Sequence, residues 1–201
     1  MARPTSETRR AFAAALAAAA LAPGLVRAQD RFPRKAVRIV VPYTPGGFTD
    51  QIARVLGQKL GEAWKTTVIV ENRPGGGTII GTDLVAKAPP DGHTLLLSGF
   101  AFAANASLHA RLAFDPLADF APVCLCASTP NLLVVNNDFP VRTVADLIAL
   151  ARSKPGQLTY ASAGPGSSPH LAMEWLKLET GIDLVHVPYK GSAPSIIDII
   201  G

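Results

Sequence analysis

The chain has 201 residues, 48% of them hydrophobic and 17% charged, with a formal net charge of +4. That balance excludes a disordered chain and gives length for one sizeable domain or two small lobes. Most of the excess charge is local: residues 1–28 hold Arg3, Arg9, Arg10 and Arg27 against Glu7, and no Lys/Arg stripe follows, which excludes a nucleic-acid-binding surface.

The N-terminus has the parts of an export signal. Arg9 and Arg10 precede an apolar, Ala-rich run at 11–25, shorter than the about 20 residues that span a bilayer. Val26-Arg27-Ala28 then offers a small-x-small cleavage site before Gln29. A signal peptide over 1–28 and a soluble, periplasmic mature protein are expected. Residues 8–12 resemble a twin-arginine motif without its Leu-Lys continuation, so Sec and Tat export both stay open.

Strands and helices then alternate. The β-branched run at 37–43 reads as a buried parallel strand. Ile52, Val55, Leu56 and Leu60 share one face of a helix over 50–60, with Thr49 as its N-cap and Gly61 at its C-cap. A strand at 67–71, a helix ending near Lys87, a turn at 89–92 and a strand at 94–97 follow. The pattern predicts a parallel sheet with right-handed crossovers. A second series begins near Ala121. It has strands at 122–127 and 131–135, then a helix opened by a capping box at Thr143 and Asp146. A strand at 158–161, a helix over 169–180 ending at Gly181, a strand at 184–189 and a helix over 195–200 complete it. Cys124 and Cys126 point to one face of a strand at a spacing unsuited to a relaxed disulfide or a usual zinc site, and are expected as buried thiols.

Two glycine-rich loops carry the chemistry. Pro45-Gly46-Gly47-Phe48-Thr49-Asp50 and Tyr160-Ala-Ser-Ala-Gly-Pro-Gly-Ser-Ser-Pro-His170 each follow a strand and open a helix. Such loops present N–H groups at the positive end of a helix dipole, and two of them suit one anion held from two sides. In the second loop Ser168 and Pro169 make an ordinary helix start, whereas Ser162, Gly164, Gly166 and Ser167 together suit ligand contact. His170 either donates to a carboxylate or packs beneath the loop. A third loop, residues 75–78, is a partial glycine fingerprint that fails at Ile80. No P-loop or nucleophile-elbow motif is present, and no cofactor or metal is expected.

The segments Val40-Val-Pro-Tyr-Thr-Pro-Gly-Gly-Phe-Thr-Asp50, Val70-Glu-Asn-Arg-Pro-Gly75, Pro90-Asp-Gly-His-Thr-Leu95, Phe120-Ala-Pro-Val123, Tyr160-Ala-Ser-Ala-Gly164 and His186-Val-Pro-Tyr-Lys-Gly-Ser-Ala-Pro194 stand in this order. Together they resemble the Bug/TctC family, the extracytoplasmic solute receptors of tripartite tricarboxylate transporters. The resemblance implies an α/β, type II periplasmic-binding-protein fold with two lobes and a hinge. Lobe one would cover 29–127 and lobe two 128–201, with family members continuing past Gly201. The implied ligand residues are Gly46, Gly47, Phe48, Thr49 and Asp50 in lobe one. In lobe two they are Ala161, Ser162, Gly166, Ser167, Ser168 and His170, and residues 99–101 also line the cleft.

The expected function is capture of a small carboxylate, a di- or tricarboxylate, aromatic acid or amino acid, by a monomer that passes it to transporter membrane subunits. Asp50 would select an amino or hydroxyl group on it. Two other readings stand beside this one: an exported hydrolase using Ser167 or Ser168 with His170, and a non-functional fragment with exposed sheet edges.

Overall fold

The computed structural model describes residues 32–201. The chain divides into Met1–Arg34 and Lys35–Gly201, and every described strand and helix lies in the second unit. The signal-peptide reading of 1–28 lies outside the described residues.

Two parallel sheets organise the Lys35–Gly201 unit. The first has the order β2-β1-β3, from β1 (Val37–Val41), β2 (Val68–Asn72) and β3 (Thr94–Leu96). Its core is Ile39, Val41, Tyr43 and Ala53, with Leu60, Val68, Val70, Leu95 and Leu97 packed around them. The central β1 is shielded on both faces, as its unbroken β-branched run requires. The second sheet pairs β4 (Thr159–Ser162) with β5 (Val185–Pro188). Ala151, Tyr160, Ile182 and Leu184 form its core with Met173 and Leu176.

The helices are α1 (Phe48–Trp64), α2 (Ile79–Ala86), α3 (Ala101–Leu108), α4 (Val144–Ser153), α5 (Ser168–Thr180) and α6 (Ser192–Ile200). A short 3-10 turn, Gly76–Thr78, precedes α2. The Thr143–Asp146 capping box opens α4 as its sequence predicts. Gly181 caps α5 in the left-handed region at φ 67°. No helix among the described residues is long and apolar enough to cross a membrane.

Several local expectations are corrected. Helix α1 begins earlier than its pattern suggests, so Gly47 is the N-cap and Thr49 lies inside the first turn. The same helix runs past Gly61 to Trp64, and Lys65 takes the left-handed position, its N–H bonding the Gly61 carbonyl. Ser167 rather than Ser168 is the N-cap of α5. Residues 122–127 and 131–135 form no strand. Apolar β-branched sequence makes a strand only where a neighbour completes its hydrogen-bond ladder, and none of the described strands pairs with them. Cys124 and Cys126 are consequently exposed rather than buried, with their sulfurs 3.8 Å apart on one side of the segment.

Candidate functional site

The loop after β1 is fixed by a carboxylate. Asp50 is 2% exposed, and its Oδ2 accepts from the Gly46 N–H at 2.8 Å and from Arg54 Nε at 2.9 Å. Its Oδ1 accepts from Arg54 Nη2 at 3.0 Å and from Asn72 Nδ2 at 2.9 Å. Burial alone would raise the Asp50 pKa, but the bonds from Arg54, Gly46 and Asn72 outweigh it and hold the carboxyl below its ordinary value. The acceptor sites of Asp50 are therefore engaged within the protein, which removes the expected role of selecting an amino or hydroxyl group on a ligand. Gly46 and Gly47 pack under the start of α6: a Cβ on Gly47 would lie 2.8 Å from Ser192 Oγ. Phe48 is exposed, at 45%, and Thr49 is half-buried.

The loop after β4 is held by hydroxyls and rings. Ser162, fully buried, accepts the Gly164 N–H at 3.0 Å and lies 2.7 Å from His186 Nε2. Ser167 Oγ donates to the Gly164 carbonyl at 2.6 Å. His170 Nδ1 accepts the Gly166 N–H at 3.2 Å. Gly164 and Gly166 both have positive φ, 119° and 73°, so this doubly braced turn depends on residues without a Cβ. His170 stacks on His186 at 4.3 Å, and His186 on Tyr160 at 4.8 Å. Tyr160 donates to Glu174, which also pairs with Lys177. Burial lowers the His186 pKa, His170 and Lys177 add to that, and the Glu174 carboxylate opposes it without reversing the direction.

His170 braces the loop through Nδ1 and stacks on His186. Ser168 Oγ turns to Asn131 Oδ1 at 3.1 Å, and no hydrogen bond among the described residues joins Ser167 or Ser168 to His170. The serine–histidine contact that does form, Ser162 with His186, is part-buried and braces the turn. The pairing that the hydrolase reading names, Ser167 or Ser168 with His170, is thus not the serine–histidine contact present.

Between the sheets lies a cleft of about 170 Å³, lined by residues 42–43, 75–78, 163–165 and 188–190. Its floor is the C-terminal end of β1, where the chain leaves one side of the sheet for β2 and returns on the other as β3. That switch point is where open α/β sheets place ligands. Residues 45–50 and 99–101 are not among the residues lining this cleft, nor are Ala161, Ser162, Gly166, Ser167, Ser168 and His170. Gly99 instead packs on the Tyr43 hydroxyl, and Ala101 is buried at the start of α3. The 75–78 loop, a failed dinucleotide fingerprint by sequence, supplies one wall. Its Thr78 is buried in the left-handed region at φ 83°, a conformation costing on the order of 1–3 kcal/mol for a non-glycine residue. Asn105 holds it there, donating to Thr78 Oγ1 at 3.1 Å and to the Gly77 carbonyl at 2.9 Å. Sequence reasoning misses Asn105 because α3 carries no amphipathic pattern; the Ala-rich run at 101–106 is its one sequence signal.

The model of the tripartite tricarboxylate transporter family receptor, TctC, matches residues 52–201. The chain belongs to the TctC receptor family. A Pseudomonas protein encoded in the tcbD-tcbE intergenic region is 43% identical over 185 residues, 91% of this chain and 55% of that one. BugT of Bordetella pertussis is 38% identical over 86% of this chain and 53% of its own length. The chain thus spans about half the length of the curated relatives it matches. Among solved structures, an R. palustris protein with adipate is 40% identical with a TM-score of 0.81, covering 84% of this chain and 57% of that one. MatC of Rhodopseudomonas palustris with bound malate is 32% identical with a TM-score of 0.78 over the same 84% of this chain and 57% of its own. The TctC fold seen here is therefore the α/β fold of these periplasmic binding proteins.

Proposed function

We propose that this chain is the ligand-gathering part of an exported solute receptor that captures a small carboxylate and presents it to the membrane subunits of a tripartite tricarboxylate transporter. The observation that carries the reading is the cleft itself. Backbone-rich loops from both sheets meet at the switch point of β1, and no acidic side chain lines the space between them. The adipate and malate bound by two structural relatives support a carboxylate as the ligand class. Binding without bond making fits a site whose serines and histidines are engaged in holding a turn. The division into lobe one at 29–127 and lobe two at 128–201, cleavage after Ala28, a periplasmic location and a monomeric state complete the proposal. The two separate sheets support the lobes.

The Gly46–Asp50 and Ala161–His170 segments act here as the frame of the cleft. They fix the walls through Asp50, Ser162, Ser167 and His170, and closure of the two sheets around a ligand would bring those walls to it. A thermal melt with adipate, malate and citrate tests this. A midpoint that climbs with the concentration of one acid supports a receptor, because only the folded state binds. A cooperative transition that none of the acids moves would sink the reading.

A further inference from the structure

We infer that Lys190 sets the charge of the ligand this cleft accepts, pairing with a second carboxylate so that dianions are favoured over monoanions. This rests on the receptor reading above. Lys190 is the single charged side chain among the residues lining the cleft; the rest of the lining is Pro, Gly, Ala, Thr and Tyr. Its ammonium makes no ion pair or hydrogen bond among the described residues. Two carboxylates of neighbouring segments are engaged elsewhere: Asp198 accepts from the Tyr189 hydroxyl, and Asp50 from Gly46, Arg54 and Asn72.

The backbone of Lys190 is also planted. Its carbonyl accepts the Thr44 N–H at 3.0 Å, which ties the end of β5 to the end of β1. On one side Tyr189 N–H bonds the Ser162 carbonyl at 3.1 Å. On the other, Gly191 lies so close to Thr44 that a Cβ would collide with its hydroxyl. An exposed lysine on a loose loop gains little from one partner, because ordering it costs entropy. Lys190 is itself exposed, but its main chain is fixed at the mouth of the cleft beside walls that carry only dipoles, so it is the lining residue that can give the cleft a net charge. With no acid in the lining, an α-ammonium group finds no partner, so amino acids are disfavoured for the same reason.

Isothermal titration with adipate and hexanoate tests the inference, since the two acids share a chain length and differ by one carboxylate. The proteins are the wild-type chain, Lys190→Met and Lys190→Arg, each checked by circular dichroism. The expected result is a loss of about tenfold in adipate affinity for Lys190→Met, the size of a charge-assisted hydrogen bond. Hexanoate affinity should stay unchanged, Lys190→Arg should recover adipate binding, and added salt should narrow the difference. Unchanged adipate affinity in Lys190→Met, or an equal loss for both acids, overturns the role of Lys190 and leaves the receptor standing. Failure of the wild-type chain to bind either acid, or malate, overturns the receptor reading itself.

Discussion

At Asp50 a buried carboxylate collects the Gly46 N–H, the Arg54 guanidinium and the Asn72 amide, so one residue joins the glycine turn, α1 and β2. Asp50→Ala should cost about 1–3 kcal/mol by leaving those donors unpaired, the half-exposed Arg54 least of them, read as a fall in the urea midpoint at constant slope. The pH dependence follows from the same bonds. The folded-state pKa of Asp50 lies below its unfolded value, so its contribution is full above the ordinary carboxylate range and is lost as pH falls through the folded pKa. His186 acts at higher pH. Its folded pKa is also lowered, by burial first, so the unfolded chain takes up a proton before the folded one does. Stability should therefore decline as pH drops below about 6.5, the free histidine value, and His186→Gln should flatten the urea midpoint between about pH 7.5 and 5.5 relative to wild type. A profile that keeps its slope in the variant would assign the effect to another group. Both residues show where sequence reading stops: the composition of the two loops marks them as special, but a carboxylate that grips its own loop and one that faces a ligand leave the same letters.

Elements whose local signals agree are legible in the sequence. The β1 run, the Thr143–Asp146 box and Gly181 each name their structures because pattern and capping point the same way. Helix α3 escapes such reading because an Ala-rich stretch has no apolar stripe. Residues 122–135 mislead because strand identity depends on a partner as much as on side chains. Packing between elements is another thing that letters hide, and Gly81 illustrates it. In an exposed helix Gly→Ala gains about 1 kcal/mol. In α2, a Cβ at Gly81 would lie 2.7 Å from the Arg73 carbonyl and 2.9 Å from Pro42 Cβ, at the very end of β1. Gly81→Ala should thus destabilise, by about 1–3 kcal/mol, and should push α2 off the cleft floor. A raised melting temperature for this variant would show that the helix moves aside freely.

On the scale of the whole molecule, alternating strands and helices foretell parallel sheet structure, while the two lobes and their cleft rest on the glycine loops and the family resemblance; the letters do not say which loops line the cleft described here. The 45–50 loop that dominates the sequence lies under α6, and the less regular 75–78 loop faces the opening. Ligand binding should therefore be read as a property of both sheets at once. Adipate at about one hundred times its dissociation constant should add about 2.7 kcal/mol to the stability of the folded state, seen as a shift of the whole transition in calorimetry. A shift confined to part of a split transition would mean that one sheet binds alone. The tie between Thr44 and Lys190 gives this a further side. It is a main-chain bond, and a bond of that kind is worth only about 0.5–1.5 kcal/mol net. Whichever residue occupies position 190, the same amide and carbonyl are there to meet. The grip between the sheets is in this respect a latch written into the backbone, weak enough for thermal motion to lift and indifferent to drift in the side chains, so ligand preference is free to change while the latch persists.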